Sequence, residues 1–215
     1  MRRKYRVGGP LLDVGCRRCD YLEALEPDFE RRLGVDFQRA FIEPRRSSFD
    51  VINAAGETLP IRKASCGMVL LLETVEHVFD PARVLQQIWT TLIPSGYLFL
   101  TAPNRFYPFE VHGMRIGTTT ISPFFGIPLL SWAPNSVRRR VQVARIYTQK
   151  TLVRLCEEQG FRVLEILHAA AVRHHGGWLD HELHAGRDKQ ARWVGAHETD
   201  GCFLHAACEE GVIKV

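Results

Sequence analysis

The sequence predicts an α/β fold of the Rossmann-like type, with helices on both faces of a doubly wound, mostly parallel, seven-stranded sheet. Three observations favour this class. Short apolar runs alternate with segments of helical periodicity, the first run stops at a glycine, and the second ends in an acid. In such sheets, ligands bind outside the carboxyl ends of the strands, where the strand order reverses. We therefore expect the functional site at that edge.

The strands are predicted from apolar runs, because a parallel strand that is buried on both faces has little alternation. Five runs give the first strands, at Pro10–Val14, Arg32–Asp36, Asp50–Asn53, Met68–Leu72 and Tyr97–Ala102. Two further runs, Phe161–Ala170 and Cys202–Cys208, are expected to close the sheet.

Helices are predicted between these strands, at Asp20–Leu25, Pro81–Leu92 and Thr148–Gln159. In the second helix, apolar residues recur at helical spacing. Asp80 and Pro81 supply its N-cap and first-turn proline. Thr148 is the expected N-cap of the third helix, and Gly160 its C-terminal stop.

Length and composition favour one globular domain. The chain has 215 residues, 46% of them hydrophobic and 24% charged, which is enough to bury a core. We expect a single domain over residues 1–215, with an acceptor-side insertion or lid at 105–145.

No apolar run has the length of a membrane-spanning helix, and Asp13 interrupts the first run, which argues against a signal peptide. Six cysteines without a disulfide pattern indicate a cytoplasmic protein.

The end of the first strand and the end of the second carry the strongest functional signal. Asp13, Val14 and Gly15 close the first strand, and Asp36 follows 21 positions after Gly15. A glycine lets the backbone approach a ligand closely. An acid about 20 residues beyond the glycine turn is placed to accept hydrogen bonds from a ribose diol. This arrangement predicts a site for an adenosine-type cofactor.

Four blocks in this order extend the signal. They read LLDVGC, GVD, GETLPI and ETVEHVFDPARVLQQIWTTLIPSGYLFLTAPN. Together they resemble the class I S-adenosylmethionine-dependent methyltransferases, and within them the broad group that includes ubiquinone and menaquinone biosynthesis enzymes. The resemblance covers Leu11 to Asn104, with weaker support at Tyr147 to Ile166.

The resemblance implies a site for S-adenosylmethionine that is formed by Asp13, Gly15, Cys16, Asp36, Phe37, Glu57, Leu59, Leu72 and Glu73. In this site, Asp36 holds the ribose hydroxyls and Phe37 lies near the adenine. Asp13 and Gly15 flank the methionine portion, and Glu57 and Leu59 belong to the loop that covers the adenine. Leu72 and Glu73 line the methionine end and the reacting centre.

The sequence departs from the family pattern at the glycine turn. Arg17 and Cys19 stand where the family usually has glycines, and Ala55 stands where it has an adenine-contacting acid. The Arg17 side chain either fills the cofactor crevice or pairs with the cofactor carboxylate. These departures support an alternative function, a catalytically degenerate binding or regulatory subunit.

The motif E-x-x-E-H follows the fourth strand, at Glu73, Glu76 and His77. If this stretch turns helical, Glu73 and His77 lie on one face. A divalent metal there would activate an acceptor hydroxyl, as in some ubiquinone-pathway O-methyltransferases, but we expect the motif to anchor the loop without a metal. His77, and His112 in the acceptor-side loop, are the candidate general bases.

The expected reaction is methyl transfer to a small-molecule, glycan or lipid-linked acceptor, with O-methylation favoured. The apolar stretch Ser122–Trp132 and the arginines at 138–140 are either a lid or a peripheral membrane contact through 122–140.

A nucleic-acid acceptor is disfavoured because the motif Asn-Pro-Pro-Tyr is absent. A dinucleotide-binding enzyme is disfavoured because the glycine spacing does not suit a pyrophosphate. The pair Cys16 and Cys19 is interpreted as coincidental, with a redox role as the alternative.

Overall fold

The computed structural model describes residues 8–26, 28–38, 49–103, 105, 109–110, 112–121, 127–168 and 201–208. Its main sheet contains β1 (Leu11–Val14), β2 (Arg32–Asp36), β3 (Asp50–Asn53), β4 (Cys66–Leu71), β5 (Leu92–Pro103), β10 (Arg162–His168) and β11 (Gly201–Cys208). The four described α-helices are α1 (Asp20–Ala24), α2 (Pro81–Thr91), α3 (Asn135–Val141) and α4 (Gln149–Glu158).

The sheet has the order β10-β11-β5-β4-β1-β2-β3. All pairs from β3 to β5 are parallel. Only β11 runs against its two neighbours, β5 and β10. The predicted mostly parallel, doubly wound fold is therefore confirmed. The chain winds outward from β1 through β2 to β3, and in the other direction from β4 to β5, so the order reverses between β1 and β4.

Two hydrophobic clusters lie on opposite faces of this sheet, because successive side chains of a strand point to opposite sides. Leu12 and Val14 of β1 pack in the cluster that contains α2 and α4. Leu11 packs in the other cluster, together with Leu22 of α1 and Phe29. The sheet is thus covered on both faces, as its continuous apolar strands predict.

Two helices begin at the N-cap residues that the sequence predicts. The Asp80 side chain accepts a hydrogen bond of 3.0 Å from the backbone amide of Arg83, and Pro81 begins α2. The Thr148 hydroxyl accepts from the backbone amide of Thr151 at 3.2 Å, forming a capping box at the start of α4. Each cap satisfies an amide that the first helical turn leaves unpaired.

Two local predictions differ from the structure. Strand β5 begins at Leu92 instead of Tyr97, because Leu92 already pairs with Cys66. The residues Pro94, Ser95 and Gly96, which by themselves predict a turn, lie inside the strand as an irregularity of the pairing. The stretch after β4 forms turns, and Glu73 has a left-handed φ of 47°. Glu73 and His77 therefore do not share a helix face, and the helical interpretation of E-x-x-E-H is wrong.

The segment 105–145 contributes small elements outside the main sheet. Strand β6 (Phe109–Glu110) pairs with β9 (Ile127–Pro128), and β7 (Met114–Ile116) pairs with β8 (Thr119–Ile121). A 3₁₀ turn at Leu130–Trp132 precedes α3. Residues 122–126 of the apolar stretch lie outside the described residues. Within the described part of the chain, no helix is long and apolar enough to cross a membrane.

Candidate cofactor and acceptor site

The glycine turn after β1 lies at the reversal of strand order, and the neighbouring strand β2 holds it in place. The backbone amides of Gly15 and Cys16 both donate to the carbonyl of Val35, at 2.7 and 3.2 Å. Gly15 has a φ of +84°, which glycine adopts without steric cost. A Cβ at this position would lie 2.3 Å from the Thr74 hydroxyl oxygen. Glycine is therefore required at position 15 because a larger residue would collide with the Thr74 side chain.

Arg17 and Cys19 keep a glycine-like backbone although neither is glycine. Their φ angles are 42° and 63°, both left-handed. This conformation costs a non-glycine residue about 1–2 kcal/mol. The backbone amide of Cys19 donates to the Cys16 carbonyl at 2.7 Å, which closes the loop at the start of α1. The loop thus retains its turn conformation in spite of the two substitutions that separate it from the family pattern.

This strain predicts that Arg17→Gly raises the free energy of unfolding by about 1 kcal/mol, because glycine adopts the left-handed conformation without the steric cost. Urea denaturation measures the change. The matched control is Arg18→Gly, since Arg18 is also exposed but is not among the left-handed residues. We expect that control to be neutral or destabilising, and equal effects of the two variants would contradict the prediction.

Asp36 ends β2 as a buried carboxylate that is fixed in orientation. Its Oδ2 accepts from the backbone amide of Arg17 at 2.9 Å, and its Oδ1 from that of Gln38 at 2.8 Å. Each oxygen retains a second lone pair with which a ribose hydroxyl can bond. Asn53 donates to the carbonyls of Asp36 and Phe37, both at 2.9 Å. The Phe37 side chain is 69% exposed, so this aromatic ring stands uncovered beside the carboxylate.

Asp13 is buried at the end of β1, in the same region. Burial, followed by the charges of Cys19, Asp36 and Asp20, raises the pKa of Asp13 from 3.8 to about 8. Among the described residues, its Oδ2 atom has no hydrogen-bond partner. Burial and the Asp13 charge also raise the pKa of Tyr21 to about 12. At neutral pH, Asp13 is therefore largely protonated and Tyr21 neutral.

Of the other predicted cofactor residues, two make hydrogen bonds to neighbouring segments and two pack in the hydrophobic clusters. The Glu57 carboxylate accepts from the backbone amides of Phe79 and Asp80 at 2.9 and 3.3 Å, so it links its loop to the start of α2. Leu59 is buried in the cluster that contains α2, and Leu72 packs against the opposite cluster. The backbone amide of Glu73 donates to the Thr101 hydroxyl at 2.8 Å, which connects the ends of β4 and β5. No sequence signal distinguished Thr101.

Cys16 and Cys19 form a buried pair of thiols, with 3.6 Å between their sulfur atoms. The hydrogen bond with Cys19, together with burial, raises the pKa of Cys16 well above its ordinary value. A neutral, buried thiol is a poor nucleophile and a poor metal ligand. The pair is therefore suited to packing, and Cys16 lies against Gly34, where a Cβ would come within 2.7 Å of its sulfur.

The two candidate bases meet around one buried carboxylate. Glu76 is 1% exposed, and its Oε1 lies 3.8 Å from Nε2 of His77 and 3.6 Å from Nε2 of His112. The two imidazole rings are 5.1 Å apart in a T-shaped arrangement. His112 comes from the segment 105–145, so this cluster joins the loop after β4 to that segment.

Two residues that the sequence did not single out hold the loop after β4. The backbone amide of Arg145 donates to the Glu76 carbonyl at 3.0 Å. Its guanidinium donates to the carbonyls of Val78 and Phe79. The Tyr147 hydroxyl donates to the Val75 carbonyl at 3.3 Å. An isolated arginine and tyrosine near a helix start have no distinctive spacing, so only the fold reveals their role.

The loop after β5, which we predicted to face the acceptor, is described only in part. Arg105 donates its backbone amide to the carbonyl of Tyr147 at 2.8 Å. Strand β6 includes Glu110, whereas Asn104 and Tyr107 lie outside the described residues. Within the described part of this loop, His112 is brought to the candidate site.

The sequence model of a known family, described as a methyltransferase domain, matches residues 2–166. This match covers most of the chain. The chain belongs to the methyltransferase-domain family.

Two curated relatives each align with about half of this methyltransferase-domain chain. A probable S-adenosylmethionine-dependent methyltransferase of Mycolicibacterium smegmatis is 28% identical over 103 residues, which are 46% of this chain and 40% of the relative. A ubiquinone biosynthesis O-methyltransferase of Leptothrix cholodnii is 31% identical over 107 residues, 46% of each chain. The match thus spans less than half the length of these relatives.

Solved methyltransferases share the fold over almost the whole chain. An S-adenosylmethionine-dependent methyltransferase from Mesorhizobium loti has a TM-score of 0.58 at 16% identity, and the match covers 95% of this chain and 96% of that one. The residues of the candidate site fit the family's cofactor. Asp36 is an oriented acceptor for hydroxyls, and the exposed ring of Phe37 offers a face to a planar base.

Proposed function

We propose that this chain binds S-adenosylmethionine and transfers a methyl group to a small-molecule, glycan or lipid-linked acceptor, with oxygen as the favoured acceptor atom. The observation that carries the proposal is the oriented Asp36 carboxylate beside the exposed Phe37 ring, next to the glycine turn where the strand order reverses. The cofactor supplies an activated methyl group on a sulfonium. The chain's residues bind it, orient the acceptor and exclude water.

Each predicted residue has a role in this proposal. Asp36 accepts hydrogen bonds from the ribose, and Phe37 lies against the adenine. The turn at Gly15 and Cys16, with Asp13 beside it, borders the methionine portion together with Leu72 and Glu73. Glu57 holds the covering loop to the start of α2 through its two amide contacts, and Leu59 anchors that loop in the core.

On the acceptor side, His77 or His112 takes the proton of an acceptor hydroxyl. The contact of both imidazoles with buried Glu76 supports this role, because a carboxylate orients an imidazole and stabilises its protonated form. His77 is the more accessible base, since its side chain is 45% exposed against 14% for His112.

A lipid-linked acceptor is supported by the surface of the insertion. Leu129, Trp132 and Val137 are large apolar residues that are more than 45% exposed, and Arg139 and Arg140 are exposed beside them. Apolar side chains next to arginines suit the interface of an anionic membrane. Sedimentation with vesicles that contain anionic lipid tests this contact, and Trp132→Ser should weaken it.

The experiment that tests the proposed function is calorimetry with S-adenosylmethionine and S-adenosylhomocysteine on the purified chain and on Asp36→Ala. We expect saturable binding by the wild type and a loss of affinity of roughly 30-fold or more in the variant, because a charged acceptor is removed. Asp50→Ala, an exposed acid at the start of β3, is the matched control and should bind normally.

The same experiment separates the proposal from the degenerate-subunit alternative. If the folded wild type does not bind either ligand, the cofactor site is lost and the chain is better explained as a binding or regulatory subunit. The variant Arg17→Gly also tests whether the arginine side chain hinders or assists cofactor binding. Its affinity rises if the arginine side chain obstructs the crevice, and falls if the guanidinium pairs with the cofactor carboxylate.

A further inference from the structure

We propose that Glu76, His77 and His112 form a site for a divalent transition-metal ion of the Zn²⁺ type. These three residues are the described group whose potential ligand atoms, one from each, all lie within 4.8 Å of one another. The proposal does not depend on cofactor binding, because the cluster involves none of the predicted cofactor residues.

The state of Glu76 is the first argument. Its side chain is fully buried, and among the described residues neither carboxylate oxygen has a hydrogen-bond partner. A buried carboxylate without a compensating donor is costly. The two imidazole nitrogens that face its Oε1 are 3.6 and 3.8 Å away, beyond hydrogen-bond distance. A cation between the three groups would satisfy the carboxylate and account for this spacing.

The spacing fits such an ion. Ligands bonded to tetrahedral Zn²⁺ at its usual distances lie about 3.3 Å from each other. The observed separations from Oε1 exceed this by a few tenths of an ångström, and all three potential ligand atoms lie within 4.8 Å of one another, so rotation of the two imidazoles is needed to reach bonding positions. The T-shaped arrangement of the two rings keeps their planes from stacking, as separate ligand directions require.

The donor set also selects the class of metal. Two imidazoles and one carboxylate suit Zn²⁺, Co²⁺ and related ions, whereas Mg²⁺ and Ca²⁺ prefer oxygen ligands throughout. Three protein ligands leave further positions for water or an acceptor oxygen. The set differs from the sequence motif E-x-x-E-H, because His112 from the insertion takes the place that the spacing assigns to Glu73.

The site has a consequence for the acceptor side. Coordination uses the same Nε2 atoms that general-base catalysis would need, so a bound metal replaces the imidazole as the group that activates an acceptor oxygen. It also ties the insertion at His112 to the loop that Arg145 and Tyr147 hold, which fixes the two walls of the acceptor side relative to each other.

The test uses Co²⁺ as a spectroscopic probe and Zn²⁺ in competition, on the full chain without cofactor. We expect one equivalent of Co²⁺ to give visible d–d absorption that Zn²⁺ abolishes. His112→Ala and Glu76→Gln should each weaken binding by at least about 100-fold, because each removes a direct ligand. The near-isosteric Glu76→Gln keeps the packing of the loop, and circular dichroism checks that both variants are folded.

Glu73→Gln is the deciding control. It should leave the Co²⁺ affinity unchanged, because Glu73 is not part of the cluster. If Glu73→Gln abolishes binding, or if His112→Ala does not weaken it, the proposed ligand set is wrong. If the wild type does not bind Co²⁺ or Zn²⁺ but still binds S-adenosylmethionine, the metal site is excluded and the proposed function stands.

Discussion

The Asp13→Asn variant should lose much of the pH dependence of stability that we expect of the wild type. The pKa of Asp13 is raised to about 8 in the folded chain, chiefly by burial, and returns to 3.8 when the chain unfolds. Between these values the folded state binds one proton more than the unfolded state. The contribution of Asp13 to stability is therefore most favourable below about pH 4, falls as the pH rises, and becomes level above about pH 8.

The expected size follows from about 1.4 kcal/mol per pH unit within that window. Between about pH 5.5 and about pH 8.5, Asp13 should remove roughly 3 kcal/mol from the free energy of unfolding of the wild type. Asparagine cannot ionise, so the variant should gain this amount relative to the wild type over the same interval. Urea denaturation without cofactor at a series of pH values measures the difference.

Asp50→Asn is the control, because Asp50 is an exposed carboxyl on β3 and does not contribute to the shift at Asp13. Its stability should follow the wild-type pH profile. Parallel profiles for the wild type and Asp13→Asn would mean that Asp13 is ionised in the folded chain at neutral pH, contrary to the burial argument.

Gly15→Ala should destabilise the chain by roughly 3 kcal/mol, as the sum of a left-handed conformation and an overpacked contact. The added Cβ would lie 2.3 Å from the Thr74 hydroxyl oxygen and 2.6 Å from its methyl carbon. Thr74 cannot easily rotate away, because its hydroxyl donates to the Leu72 carbonyl at 2.8 Å. The free energy of unfolding from urea denaturation checks this value.

The matched control is Gly117→Ala. Gly117 also has a positive φ, of +59°, but a Cβ there meets nothing within 4 Å. It should cost only the conformational part, about 1 kcal/mol. Thr74→Ala should reduce the cost of Gly15→Ala in the double variant, since it removes the two clashing atoms. Equal costs at Gly15 and Gly117 would show that the Thr74 contact relaxes without difficulty.

The strands and caps were predictable because their causes are local. Short segments with an apolar centre predicted β2 and β3 with their observed bounds. The caps at Asp80 and Thr148 follow from side-chain chemistry next to helix starts. The start of β5 was misplaced because residues 94–96 favour a turn in isolation, whereas pairing of Leu92 with Cys66 extends the strand past them. Long-range pairing overrode the local preference there.

The candidate site, likewise, could be predicted from the sequence only where its causes are local. The ends of β1 and β2, with Gly15 and Asp36, could be located from the sequence, because parallel strands of a doubly wound sheet end at one edge. The meeting of Glu76 with His112 could not, since 36 positions separate them and no periodicity relates them. The E-x-x-E-H spacing suggested Glu73 as a ligand instead, which depended on a helix that the chain does not form.

The sequence by itself determined the fold class, the family and the edge of the sheet at which the candidate site lies, because apolar patterning and the order of motifs are properties of neighbouring residues. Only the tertiary structure decided the protonation of Asp13, the need for glycine beside Thr74 and the clustering of two histidines around Glu76. Burial, steric contact and electrostatic interaction depend on distances between residues far apart in the chain, and these distances are fixed only when the chain folds.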